Sequence, residues 1–296
     1  MSRSYPRIKV ISVLAAGLVA FGFSPIFVRL APDTPPLVLA AYRTAIASLL
    51  LLPYWYLKRE QFTSSIKEKF LVVVAGICLG IHFIFWIASL FYTSVASASV
   101  LVTIHPIILI LVERLWLKRH FAFTTWIGVL MAFAGSVLLG ISDSQIEQDF
   151  ADPLFGNLLA TSAAAIFVVY LLIGQKIRQN REWVDYVFPV YFFAGITCIG
   201  TALMFGNNIL QISLVGFSAA TGMAVFPQIV GHGSMNYAVK YISPTLISTL
   251  ILTEPVFATF LAYLLFDELP PATSFLAMLI IIMGVGLTWR RKKRNK

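Results

Sequence analysis

The chain has 296 residues, 59% of them hydrophobic and only 12% charged, with a mean hydropathy of +0.85 and a formal net charge of +9. A water-soluble domain is roughly 45–50% apolar and about 25% charged, so a cytosolic enzyme is excluded. Intrinsic disorder is excluded as well, because it needs low hydrophobicity. What remains is an integral membrane protein, in which 14% aromatics and 18 glycines suit helices packed in lipid.

A helix needs about 20 mostly apolar residues to cross the hydrocarbon layer. In chain order the runs that meet this length are 10–30, 37–57, 70–90, 94–117, 123–141, 154–174, 186–205, 213–234, 242–266 and 272–289. Stretches such as Leu276 to Val285 are continuously apolar, without the alternation of a transmembrane β-strand. The expected fold class is therefore all-α, with ten transmembrane helices. The first run starts basic, with Arg3, Arg7 and Lys9, but stays apolar to Leu30. That is longer than the 7–15 residues of a secretory signal, so it reads as a retained span.

Placing the N-terminus in the cytoplasm puts 20 of the 22 Lys and Arg on the inner side, and the other two, Arg29 and Arg43, within the first two spans. The outer connections carry acids instead: Asp33, Asp143, Glu147, Asp149, Asp152, Asp267 and Glu268. Positive residues mark cytoplasmic loops, so both termini are expected there, in a multi-pass protein of a bacterial inner membrane. The basic tail from Arg290 is read as part of that signal, and no nucleic-acid partner is expected. Cys78 and Cys198 lie inside apolar runs and read as packing residues.

Sliding the chain by 149 positions lays 89–140 on 238–289 without a gap. Tyr92 falls on Tyr241, Ser94 on Ser243, Pro106 on Pro255 and Gly135 on Gly284; a shift of 140 puts Ile26-Phe27-Val28 on Ile166-Phe167-Val168. Five spans per half, an odd number, means that the second half enters the membrane from the opposite side. Inverted repeats of this kind hold a carrier's site near the midplane, between the halves. The domains read as 1–145 for the first repeat, 146–153 for an outer linker, and 154–296 for the second repeat with its tail.

These residues also carry a family resemblance. The five-plus-five repeat, Leu90-Phe91-Tyr92-Thr93-Ser94-Val95-Ala96 running into Pro106, Glu254-Pro255-Val256 in the ninth run, and Asp267-Glu268-Leu269 closing it resemble the EamA-type members of the drug/metabolite transporter superfamily. The resemblance implies a cavity between the halves, alternating access, and export of small metabolites or amino acids. Lys118-Arg119 stands where such proteins often carry Gly-Glu, which departs from the pattern of an acid at an inner gate.

The candidate site residues follow from cost and spacing. Glu254 lies near mid-bilayer, where a charge costs roughly 2.5–3.5 kcal/mol, so it is expected to line a cavity or find a partner. It reads as the only acid so deeply placed. His105-Pro106 is the repeat mate of Glu254-Pro255, and the two polar residues are expected to oppose each other across the centre. His82 and Trp86, at i and i+4, share a face of the third span and form either an aromatic wall or core packing. Arg43, about 9 Å deep at 1.5 Å per residue, either snorkels outward or meets a substrate carboxylate. Gln228, His232 and Asn236 recur along one face of the eighth span, with Tyr170 and Tyr237 adding hydroxyls. A lone deep cation disfavours phosphorylated cargo.

No HExxH, P-loop or GxSxG sequence occurs, and neither a metal nor a cofactor is expected. The function expected is secondary active transport of small metabolites such as amino acids, with Glu254 coupling it to protons. Two alternatives stay open: an intramembrane enzyme using Glu254 and His105 as an acid–base pair, and a channel or scaffold.

Overall fold

The computed structural model describes residues 7–58, 65–93, 95–143, 152–267 and 269–289, and the elements among them are all helical. In chain order they are α1 (Arg7–Arg29), α2 (Pro36–Lys58), α3 (Ile66–Tyr92), α4 (Val95–Val102), α5 (His105–Leu115), α6 (Phe123–Asp143) and α7 (Pro153–Arg178). There follow α8 (Trp183–Met204), α9 (Leu214–Met223), a π-helical segment Ala224–His232, α10 (Gly233–Ala238), α11 (Pro244–Ile251), α12 (Glu254–Phe266) and α13 (Ala272–Trp289). Nine stretches among the described residues are long and apolar enough to span a membrane, and α4 with α5 forms a further, interrupted one. The ten-span, all-α reading holds. Most of the linker expected at 146–153, together with Glu268 and the tail from Arg290, lies outside the described residues.

Local chemistry fixes where helices start. Ser65, Asp152, Ser213 and Ser243 each cap an N-terminus by accepting from the backbone N–H three residues on. The fourth and ninth spans are both broken in mid-course, at Thr103-Ile104 and at Leu252-Thr253. In each the new helix begins with a proline in its first turn, Pro106 or Pro255, where the missing N–H breaks no intrahelical bond. At the far ends of those helices Lys118 and Asp267, again 149 positions apart, are the two non-glycine residues with positive φ among the described residues, 52° and 55°. The Arg119 N–H then reaches back to the Glu113 carbonyl at 2.9 Å, closing α5 with a left-handed cap.

The contact of α6 with α13 displays the symmetry between the halves. A Cβ placed on Gly284 would lie 2.4 Å from the Ala132 nitrogen and 2.8 Å from the Gly128 carbonyl oxygen. A Cβ on Gly135 would lie 2.8 Å from the Ile281 nitrogen and 3.0 Å from the Ala277 carbonyl oxygen. Gly135 and Gly284 are repeat mates, as are Ala132 and Ile281, and Gly128 and Ala277. Each contact is thus the other turned about an axis between the helices, the reciprocity expected of a twofold interface. Small residues allow the backbones to approach this closely in lipid.

One end of the bundle carries Lys58, Arg119, Arg181 and Lys240; the other carries Asp33, Asp152 and Asp267. At the basic end α5 packs against α11. The symmetry-related pair at the acidic end, α4 and α12, behaves differently: α4 lies against α6 and α7, while α12 lies against α1 and has no buried residue. The bundle is closed at its basic end and parted at its acidic end.

Candidate functional site

The breaks in the fourth and ninth spans place His105 as the first residue of α5 and Glu254 as the first residue of α12. Half-helix N-termini at the membrane centre carry partial positive charge and unbonded N–H groups, which favour anions and polar ligands. Between them, Phe167 of α7 is a hub. Its ring lies 5.0 Å from His82, 5.0 Å from His105, 6.1 Å from His232 and 5.7 Å from Tyr170. Three of the four histidines in the chain therefore surround one phenylalanine.

Arg43 does not snorkel. Its side chain is buried, its Nε donates to Gln228 Oε1 at 2.8 Å, and its guanidinium lies over the Phe83 ring at 4.1 Å. Glu254 is half-buried and within electrostatic reach of Arg43, with no ion pair closing the gap. Unlike charges from the two halves thus face the same central region, one on α2 and the other on α12.

The π-helical segment presents the remaining polar groups. A π turn widens the backbone around Pro227, which has no N–H to give, and such turns recur at functional sites. Gln228 and His232 are both buried on it, and Asn236 follows on α10. The Tyr191 hydroxyl donates to the Gln228 carbonyl at 2.8 Å, and Asn236 Nδ2 donates to the Tyr170 hydroxyl at 2.6 Å. His82 Nδ1 bonds the Ala163 carbonyl at 3.0 Å, which makes that nitrogen the donor. Four buried polar atoms of this region have no hydrogen-bond partner in the protein: His105 Nδ1, Gln228 Nε2, His232 Nδ1 and Asn236 Oδ1. Buried polar groups are nearly always satisfied, so a cluster of exceptions marks a place where a small polar molecule belongs.

The expected set is gathered in part. Arg43, His82, Gln228, His232 and Tyr170 come together, and Trp86 lies half-buried one turn from His82 on α3. Tyr237 does not join them: its ring packs 5.5 Å from Tyr241 and under Lys9 Nζ at 5.8 Å, towards the basic end. It follows Asn236 immediately and so points away from the face that Asn236 shares with His232. His105 and Glu254 do not touch either. His105 faces Phe167, and its Nδ1 has no hydrogen-bond partner in the protein.

A second acid is buried within the protein, towards the basic end rather than at mid-span. The Glu113 side chain, in the last turns of α5, is 0% exposed. It accepts from Arg119, from the Thr245 hydroxyl and from the Thr245 N–H at 3.3 Å, while Arg119 also donates to Gln175 at 3.0 Å. These bonds tie α5 to the N-terminus of α11 and to α7, and they close the basic end. An acid is thus present at the basic end, six residues before Arg119, the position where the family pattern often has one. The hub Phe167 was missed too, although its match with Phe27 in the repeat was in view. Among the described residues no group of three or more His, Cys, Asp or Glu could hold a metal ion.

The EamA-like transporter family model matches the chain twice, over residues 8–141 and 154–290. The chain is 23% identical over 299 residues to the uncharacterized transporter YdfC of Bacillus subtilis, covering 100% of this chain and 95% of that protein. It is 22% identical over 284 residues to the pseudopaline exporter CntI of Pseudomonas aeruginosa, covering 95% and 96%. It is 20% identical over 291 residues to mouse solute carrier family 35 member G1, covering 95% and 77%. A solved crystal structure superposes with a TM-score of 0.80 at 17% identity, over 95% of this chain and 96% of that one.

Proposed function

The chain belongs to the EamA-like transporter family, and we propose that it exports small zwitterionic metabolites of the amino-acid class by alternating access, in exchange for protons. Family and named relatives are transporters, and the enzymatic alternative falls with them. The observation that carries the finer reading is the buried Arg43 guanidinium over Phe83, beside an aromatic and histidine cluster with unmet hydrogen bonds, together with Glu254 as the first residue of the half-helix α12. A cargo carboxylate fits the Arg43 guanidinium, whose planar fork suits it, and a cargo ammonium fits Glu254. The apolar part of the cargo lies along Phe83, Phe167 and Trp86. A relative named as an exporter supports the direction.

Proton exchange follows from competition. Glu254 holds either a proton or the cargo ammonium, so cargo leaving at the acidic end lets a proton take its place. That proton rides to the other side, where the next cargo displaces it, and no separate ion site is needed. His105, on the axis beside His82, is the residue that would pass the proton or hold the cargo carboxylate once charged. The charge count supports reading the basic end as the cytoplasmic one, with both termini on the cytoplasmic side of a bacterial inner membrane.

The test is transport in proteoliposomes with an imposed pH gradient, using a panel of labelled amino acids. Glu254→Gln keeps shape and hydrogen bonding but cannot titrate. It should abolish gradient-driven accumulation while keeping some cargo exchange, and Arg43→Gln should lose carboxylate-bearing cargo altogether. A Glu254→Gln carrier that accumulates cargo as steeply as wild type would sink the mechanism.

A further inference from the structure

At the basic end, directly beside the Glu113–Arg119 pair, lies a cavity of about 430 Å³ lined among others by Arg119, His120, Gln175, Gln179, Lys240 and Tyr241. That volume is within the roughly 300–1,000 Å³ of small-molecule sites. Its wall comes from three segments: the turn after α5, the last turns of α7, and the turn between α10 and α11. It spans the two halves where they close. Its cations are only partly engaged by the protein. Lys240 Nζ is 3.8 Å from Glu182, a loose contact, and the side chain of Arg119 remains 38% exposed although it serves both Glu113 and Gln175. Arg114 donates to His120 Nδ1 at 2.6 Å and brings a further cation to the rim.

We propose that this cavity is an entry site for an organic carboxylate, whose capture by Arg119 and Lys240 takes Arg119 from Glu113 and so weakens the closure of α5 on α11 and α7. The argument is one of like replacing like. The Glu113 carboxylate is held by Arg119 from the buried side, and a second carboxylate on the cavity side meets the same planar guanidinium in the geometry it favours. Arg119 cannot serve both fully, because Gln175 occupies its other terminal nitrogen. Glu113 then keeps only its bonds from Thr245 of α11, as a buried carboxylate without its cation, and the link through Arg119 to α7 is gone, so the closed arrangement of α5 on α11 loses part of its support. The inference rests on the reading of the chain as an alternating-access carrier of carboxylate-bearing cargo. It adds that the cargo is first met at this vestibule and itself opens the gate.

The experiment reads the gate without transport. A Ser248→Cys substitution in α11, on a Cys78→Ala, Cys198→Ala background, puts one buried thiol behind the α5–α11 contact. Its labelling rate by a membrane-impermeant maleimide from the basic side reports the open fraction. Sodium acetate in the millimolar range should speed labelling several-fold over sodium chloride of equal ionic strength. Replacing Lys240 and His120 together by Gln should remove the difference between acetate and chloride. Equal acceleration by acetate and chloride would reduce the effect to screening and overturn the proposal, as would no acceleration. Acceleration by inorganic phosphate alone, or only in vesicles containing an anionic phospholipid, would assign the cavity to phosphate chemistry and overturn it too. Because the labelled carrier is idle, a null here leaves the Arg43–Glu254 reading standing, and failure of the Glu254→Gln transport test leaves an acetate response intact.

Discussion

Replacing Glu113 by Gln should loosen the basic end by an amount that the geometry sets. The carboxylate is wholly buried and accepts from Arg119 and twice from Thr245. Removing one member of a fully buried ion pair costs about 3–5 kcal/mol, but the Arg119 side chain is 38% exposed, so water already shares its charge. The loss expected is nearer about 1.5–3 kcal/mol, the range for hydrogen bonds to a charged group. It falls on the closed state through the Thr245 bonds, which parting α5 from α11 would break in wild type as well, whereas the Arg119 bond lies within one segment. At 1.4 kcal/mol per tenfold, the open-to-closed ratio should rise by roughly 10- to 100-fold. The maleimide rate at Ser248→Cys reads that ratio directly. Thr245→Val removes only the hydroxyl donor and should give a smaller rise, about fivefold for about 1 kcal/mol. Should both variants fold with normal yield and label at the wild-type rate, the ion pair does not hold the gate and the account of closure is wrong.

Cysteine placed at Asn208, exposed at the acidic end, should label from outside the cell, and cysteine at Ser65 only from the cytoplasm; the reverse would invert the charge-based orientation. Gly284→Val forces side-chain atoms into the Ala132 backbone and should lower thermal stability in detergent by about 1–3 kcal/mol or more. Gly286→Val, on the same helix but with nothing within 4 Å of its Cβ position, should not.

The spans, the repeat and the breaks were legible because lipid imposes them. A backbone with no water to bond must be helical, and each run had to be about 20 residues long. Pro106 and Pro255 in one register gave the interrupted spans, since a proline within an apolar run marks where the helix must restart. The polar cluster was legible for the same reason: Arg43, Gln228 and His232 are too costly to face lipid, so they turn inward. Other features depended on geometry that spacing does not carry. Tyr237 follows Asn236 by one residue, a step of about 100° round a helix, and its amphipathic ring suits the membrane boundary as well as a cavity. Glu113 was hidden by its neighbours, since Glu113-Arg114 at the end of a span resembles an ordinary interfacial pair. Its true partners are six residues on and in another span. The apparent loss of the gate acid at Lys118-Arg119 was misleading because the turn had exchanged roles, Arg119 supplying the cation for a carboxylate two turns back. The separation of His105 from Glu254 was not legible at all. The repeat relates them in a symmetric molecule, and a carrier with one end closed and the other parted has given up that symmetry.

That broken symmetry offers a test of the gates themselves. Under the repeat, Glu113, Arg119 and Thr245 correspond to Ala262, Glu268 and Ala96, so the sequence does not repeat these three residue types at the matching positions. Closing α4 on α12 would rely on packing of small residues, which yields less than a buried, charge-assisted contact. The resting carrier should therefore favour the state with the basic end closed and the acidic end parted, as the structure has it, and should need a carboxylate at the vestibule to leave that state. Building the lock at the other end should undo the preference. A variant with Ala96→Thr, Ala262→Glu and Glu268→Arg copies the three residues across the axis. Whatever it gains in the acidic-end-closed state draws on the same two-state equilibrium, so the maleimide rate at Ser248→Cys should rise without any change at the basic end itself. A companion with Ala262→Gln and Glu268→Gln supplies bulk without the ion pair and should leave the rate near wild type. If the triple variant folds and labels no faster than that companion, then α4 with α12 is not the mate of α5 with α11, and the pseudo-twofold account of gating fails even though the helices obey it.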